Sequence, residues 1–286
     1  MPSAGDIRRR IKSVKNIQQI TKAMKMVAAA RLRRAQEKAN ASRPYTEKIR
    51  QVLKHVAAGA GDAVHPLLVV RDVNKTGYLV LSSDKGLAGA YASNLFKEVV
   101  PQIRGKENAG LITVGRKARD YFRRRGYRID KEYSGFSEKP GYEHAAAIAK
   151  ELAERFEAGD YDEIYLVYTE FRSAISQQPV TVKLLPVEES GQQGGEAGKG
   201  RQEYIFEPSA GEVLGLLLPK YLETVIYGAL LQASASELGA RMTAMGSATD
   251  NAQELISKLV LNYNKVRQAT ITREISEIVG GAEALK

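Results

Sequence analysis

The chain contains no cysteine. Disulfides, thiolate nucleophiles and thiol-ligated zinc are excluded, and the composition fits a reducing compartment. No unbroken apolar run approaches the ~18 residues a bilayer span needs, so no transmembrane helix is expected. The first residues, MPSAGDIRRRIK, lack the apolar stretch of a secretory signal, and Asp6 with the continuing heptad-like pattern argues against a cleaved transit peptide. Histidine is scarce: His55, His65 and His144 are scattered, as packing or surface residues are and metal ligands are not. Glycine is missing between Gly5 and Gly59, and acid is nearly missing there. Residues 1–57 hold 15 Lys and Arg against three acids, while the chain as a whole has a net charge of +10. The entire basic excess thus belongs to one segment, which implies an acidic partner surface for that segment.

That segment reads as one long helix, about 80 Å at about 1.5 Å per residue. Within ITKAMKMVAAARLRRA the apolar stripe is thin, namely Ile20, Met24 and Val27. Pro44 is expected to kink or interrupt the helix. Residues 77–187 alternate apolar strands (78–82, 110–115, 163–171, 178–187) with helices (94–103, 116–126, 142–159), the second closed by Gly126. This alternation predicts βαβ units and a small, mainly parallel sheet. Residues 189–202 read as a flexible surface loop. Residues 209–285 read as a second long helix, opened by Ser209 and Glu212 as a capping box, with Pro219 breaking or kinking its first turns. Leu231, Ala235, Leu238, Met242, Met245, Thr249, Ala252, Ile256, Leu259, Tyr263 and Val266 alternate four- and three-residue steps, a heptad seam. The N-terminal helix is the one other helix of comparable length, so the two should pair antiparallel, with the longer one projecting alone at one end. The expected organisation is 1–57 as a coiled-coil helix, 58–208 as an α/β domain and 209–286 as the returning helix.

Catalytic motifs fail in detail. SSDKGLAGAYASN (82–94) lies between strand and helix, where phosphate-binding turns sit, yet neither glycine is followed by Lys-Ser or Lys-Thr. The third glycine of a dinucleotide fingerprint is replaced by Ala92. Ser82 or Ser83 with Lys85 could form a nucleophile and base, but no orienting group accompanies them. The basic helix could bind nucleic acid, though a basic zipper continues from basic region to zipper in one helix, and here about 200 residues intervene. A membrane-surface helix would want Trp, Phe or Leu on its apolar face, which offers mainly Ile, Val and Met.

ATITREISEIVGGAEA (269–284), through Ile271, Thr272, Glu274, Glu277, Gly281 and Ala282, resembles the signature of the gamma subunit of F-type ATP synthases. IRRRIKSVKNIQQITKAMKMVAAARLRRAQ, LSSDKGLAGAYASN and NKVRQATITREI are similar to that family in the same order. The resemblance implies an antiparallel coiled coil with a small Rossmann-like α/β domain, acting as a non-catalytic rotor shaft inside a ring of three alpha and three beta subunits. It further implies contact with the epsilon subunit and the membrane c-ring, proton-driven rotation, and no cofactor, small-molecule substrate or nucleic-acid partner of its own. By motif, Lys22, Met24 and Lys25, and Ser83, Asp84, Lys85 and Ala88, match the region that meets the acidic levers of beta. Arg267, Gln268 and Thr272 match the region that engages beta's catch loop, and Phe206 and Glu207 the neighbourhood of the c-ring. The chloroplast type carries a cysteine-bearing regulatory insertion, and the absence of cysteine excludes thiol regulation here. The resemblance therefore implies a bacterial type, peripheral at the cytoplasmic face of the plasma membrane.

Overall fold

The computed structural model describes residues 3–59, 65–106, 108–187 and 209–283. Eleven elements follow one another: α1 (Ala4–Gly59), a 3-10 turn (Pro66–Leu68), β1 (Thr76–Leu81), α2 (Tyr91–Ile103), β2 (Ala109–Val114), α3 (Arg116–Arg124), β3 (Ile129–Tyr133), α4 (Tyr142–Glu157), β4 (Glu163–Ser173), β5 (Ser176–Leu185) and α5 (Ala210–Glu283). The chain forms two compact units, Met1–Ala28 with Arg241–Lys286, and Ala29–Ala240.

In the first unit the ends of α1 and α5 pair antiparallel. Gln18 Nε2 donates to Gln253 Oε1 at 2.8 Å, and the hydroxyls of Thr21 and Thr249 lie 2.9 Å apart. Val14 packs with Ala252, Ile256 and Leu259. On α5 the seam follows the heptad steps expected: Met245, Ala252 and Ile256 are buried and Thr249, Leu259, Tyr263 and Val266 half-buried. On α1 the seam differs from expectation. Ile7, Val14, Thr21, Ala28 and Ala35 are buried at seven-residue intervals, whereas Ile20 and Val27 are 59% and 51% exposed. The small and hydroxylated seam of α5 sets this choice. Thr249 and Ala252 need close, matching neighbours, and Thr21 and Ala28 let the backbones approach where Ile20 would hold them apart. Val14→Ala should therefore cost about 2 kcal/mol through lost burial and a residual cavity. Ile20→Ser should cost less than about 0.5 kcal/mol. Thermal denaturation of both variants of the full chain, followed by helical circular dichroism, checks the order.

Neither proline ends its helix. Pro44 and Pro219 both lie inside unbroken runs. Around Pro44 the Ser42 hydroxyl donates to the Ala39 carbonyl at 2.9 Å and Thr46 to Ser42 at 3.1 Å. The buried side chains on either side, Leu32, Ala35, Ile49, Leu53 and Val56, hold the helix against the proline penalty of about 3 kcal/mol. At the start of α5 the Ser209 hydroxyl accepts from the Glu212 N–H at 3.3 Å, as the cap predicts.

In the second unit the five strands run in the order β3-β2-β1-β4-β5, all parallel except β5, which pairs antiparallel with β4. The chain winds outward from β1 in both directions, as in a doubly wound fold. One face carries α2 and α3, packed through Leu95, Phe96, Val99 and Phe122 onto Tyr78, Val80, Leu111 and Val167. The other carries Ile148, Leu152 and Phe156 of α4, Leu53 and Val56 of α1, and Leu214, Leu218, Leu222, Ile226 and Leu230 of α5. Covered on both faces, β1 reads as a continuous apolar run. The strand β3 was not expected from the sequence. IDKEY has no apolar alternation, because an edge strand half-exposed beside β2 needs none.

One helix, α5, does carry an 18-residue window of mean hydropathy 1.4. No unbroken run is present there because Pro219, Lys220 and Glu223 interrupt the apolar residues of the first half of the helix. Of that window 39% is buried; Leu214, Leu218, Leu222, Ile226 and Leu230 of the same helix pack into the core of the second unit, while Leu216 is exposed.

Candidate functional site

The parallel strands bring their C-terminal ends to one edge of the sheet, and the turn Ser82–Ala90 leaves β1 there. Its first residues are held by backbone pairing. The Ser82 N–H donates to the Val114 carbonyl at 2.8 Å, and the Lys117 N–H to the Ser83 carbonyl at 3.0 Å. Gly115 makes this approach possible: its φ is 94°, and a Cβ there would lie 2.4 Å from the Ser82 carbonyl oxygen. No larger residue fits either demand.

Asp84 is buried and receives hydrogen bonds from two other segments. Its Oδ2 accepts from the Gly135 N–H at 2.8 Å and the Ser137 N–H at 3.1 Å, and its Oδ1 accepts from the Arg116 N–H at 3.2 Å. In return its own N–H donates to Ser137 Oγ at 3.0 Å. Burial works to raise the Asp84 pKa, but the hydrogen bonds from Gly135, Ser137 and Arg116 outweigh it and hold the carboxyl below its ordinary value.

The next residue extends the bracket. Lys85 Nζ lies 3.0 Å from Glu138 Oε2, and that same oxygen pairs with Arg31 of α1. Ser234 of α5 donates its hydroxyl to the Glu138 carbonyl at 3.1 Å, and Tyr91 at the head of α2 donates to the Ala233 carbonyl at 3.2 Å. Residues 135–138 therefore tie the turn to both long helices within this unit.

The matched residues fall in separate places. Ser83, Asp84, Lys85 and Ala88 share the turn, with Lys85 exposed and the other three buried. Lys22 and Lys25 are exposed on α1 and Met24 half-buried, between the exposed Ile20 and Val27. The alkyl stem of Lys25 lies over Gly246. Arg267, Gln268 and Thr272 are exposed on α5. The register set by Gln18–Gln253 and Thr21–Thr249 places the first residue of α1, Ala4, level with Val266 or Arg267, so Gln268 and Thr272 stand on helix that α1 does not accompany. Phe206 and Glu207 lie outside the described residues, as does the loop 189–202. The proposed Ser82 or Ser83 nucleophile is buried, and its base Lys85 is engaged with Glu138. Sequence reasoning missed Arg31, Glu138, Ser137 and Arg116. Their one trace is SGFSE (134–138), a small-residue turn that ends in a carboxylate.

A chain whose terminal helices pair antiparallel while its middle forms a doubly wound α/β body is of the coiled-coil stalk class. The sequence model of the family described as ATP synthase matches residues 3–285. The ATP synthase gamma chain of Heliobacterium modesticaldum is 52% identical over the full length of both chains, and that of Desulforamulus reducens is 53% identical, again over all of both. A chain in the Euglena gracilis mitochondrial ATP synthase, OSCP/F1/c-ring, has the same fold, with a TM-score of 0.74 and 20% identity over 99% of this chain and 94% of that one. A chain in the central stalk/c-ring structure of the Tetrahymena thermophila mitochondrial ATP synthase gives a TM-score of 0.62 at 26% identity, over 80% of this chain and 99% of that one. The chain belongs to the ATP synthase gamma family.

Proposed function

We propose that this chain is the central rotor shaft of a bacterial F-type ATP synthase. It transmits rotation between a proton-driven c-ring and the nucleotide sites of three alpha and three beta subunits, with epsilon bound beside it. It catalyses nothing itself, takes no cofactor, and sits peripherally at the cytoplasmic face of the plasma membrane as part of that complex. The observation that carries this reading is α5: 74 residues long, it shares a heptad seam with α1 and then continues unaccompanied, with its last turns exposed all round. An isolated helix of that kind is marginal in water and implies a surrounding partner. The exposed Ile20 and Val27 and the half-buried Met24, beside Lys22 and Lys25, fit an acidic, partly apolar partner surface on the same grounds. Because the coiled coil pairs within one chain and antiparallel, it also lacks the parallel fork by which a basic zipper grips DNA.

The test is reconstitution. The chain alone should neither bind nor hydrolyse magnesium-ATP in titration calorimetry and phosphate-release assays. Added to a gamma-depleted complex in inverted vesicles, it should restore ATP-driven acidification that a protonophore abolishes. Equal acidification with and without the chain would overturn the reading.

A further inference from the structure

At the N-terminal ends of the parallel strands, the sheet edge opposite the turn, lies a cavity of about 180 Å³. Three residues of its wall each stand immediately before a strand: Lys75 before β1, Asn108 before β2 and Arg128 before β3. The strands are parallel neighbours, so their register brings these three side by side. Arg155 of α4 adds a third cation to the wall. The floor is Tyr161, which is 3% exposed and lies against one glycine on each of two strands. A Cβ on Gly77 would stand 3.0 Å from the tyrosine ring. One on Gly110 would stand 2.7 Å from its hydroxyl oxygen and 2.3 Å from Asp130 Oδ2. Only glycine admits the tyrosine this close to the strands.

The acceptors of the cavity are engaged and its donors are not. Asp130 accepts from the Tyr161 hydroxyl at 2.6 Å on Oδ2 and from Arg128 Nε at 2.7 Å on Oδ1. Burial and the hydrogen bond to Asp130 push the Tyr161 pKa up, so the floor stays a neutral phenol around pH 7. Asp160, the other acid of the wall, lies 3.8 Å from Arg155 and is half-exposed to water. The Lys75 ammonium has no ion-pair partner among the described residues, and the terminal nitrogens of Arg128 and the amide of Asn108 are likewise uncommitted. Three cations against two acids leave the cavity positive. Unused donors that converge from three strand ends suit an anion with oxygens on several sides.

We propose that this cavity binds a phosphate group, with Lys75, Asn108 and the terminal nitrogens of Arg128 donating to its oxygens. The site goes beyond the rotor reading and does not depend on it. A free phosphate-bearing solute and a phospholipid headgroup present the same chemistry, and two arms of one experiment separate them.

In the first arm inorganic phosphate is titrated into the full chain by calorimetry at constant ionic strength. In the second the chain is floated with vesicles of phosphatidylglycerol or of phosphatidylcholine. Lys75→Gln should weaken binding about tenfold, the loss of one charge-assisted hydrogen bond. Asn108→Asp, which adds a like charge at the cavity, should abolish it. Both side chains are exposed, so both variants should melt as wild type does. Lys97→Gln removes the same charge from the exposed face of α2 and should change nothing, which separates the cavity from the general pull of a basic chain. Phosphate binding that depends on Lys75 and Asn108 establishes the site for a solute. Capture by phosphatidylglycerol alone, with the same dependence, establishes it for a headgroup. No binding in either arm overturns the proposal. So does binding that Lys75→Gln leaves intact or that Lys97→Gln weakens equally.

Discussion

A disulfide joining a cysteine at Val27 to one placed in the acidic lever of a single beta subunit should abolish steady-state ATP turnover, and reductant should restore it. The chain has no cysteine, so the introduced thiol is unique. Val27 is 51% exposed and lies off the buried seam, so Val27→Cys should cost the coiled coil less than about 0.5 kcal/mol. It stands three residues beyond Met24, on the face that we propose meets beta. Disulfides close only when the Cα atoms come within about 7 Å, so the cross-link yield itself reports whether that face meets the lever. A shaft that must turn toward each of three beta subunits cannot complete a cycle while tied to one. Activity should therefore fall in proportion to yield, measured as ATPase rate before oxidation, after it and after reduction, with yield read from a gel. A scaffold that only holds the ring together predicts little loss, and full activity at near-complete cross-linking would refute rotation.

The features legible in the sequence are those set by local periodicity. The seam of α5 is legible because its heptad steps continue over many turns. The strands β1, β2 and β4 are legible because burial on both faces makes them largely apolar runs, and the edge strand β5 because Val180, Val182 and Leu184 alternate with polar residues. The Gly126 helix end is legible because a positive φ, here 77°, demands glycine. What stayed hidden depends on the partner element. The most apolar stripe of α1, through Ile20 and Val27, is not its seam, because seam choice is made jointly with Thr249 and Ala252 across the pair. The helix-breaking force of Pro44 and Pro219 is local and is outweighed by burial that no window around either residue reveals. The bracket of the turn is more distant still. Glu138 reaches Lys85 across 53 positions and Arg31 across 107, and no pattern near any of the three residues encodes the meeting. Asp84 was placed in the right turn by motif, but its role in holding that turn became visible only when Gly135 and Ser137 appeared opposite it.

That role makes Asp84→Asn the most damaging conservative substitution in the turn. The two oxygens of Asp84 accept three backbone N–H groups, from Arg116 on one and from Gly135 and Ser137 on the other. An asparagine offers one acceptor oxygen and points its amide hydrogens at donors on the other side. Whichever way it turns, at least one backbone N–H that is buried or part-buried loses its partner, and such a loss costs about 1–3 kcal/mol. The full chain should lose about 3 kcal/mol, a fall in melting temperature of about 10 °C for a unit of this size. The dependence on pH follows from the lowered folded pKa. A carboxyl whose folded pKa lies below its unfolded value stabilises fully above the unfolded pKa, about 3.9 for aspartate, and loses that contribution as pH falls through the folded value. The gap between wild type and Asp84→Asn should therefore hold steady from about pH 7 to about pH 5 and close in stronger acid, below about pH 4. Taking the difference between the two proteins cancels the titration of every other carboxylate. Melting curves by circular dichroism across that range provide the check. A variant that melts with wild type at neutral pH, or a gap that widens in acid, would show that the turn is held by something other than the Asp84 carboxylate.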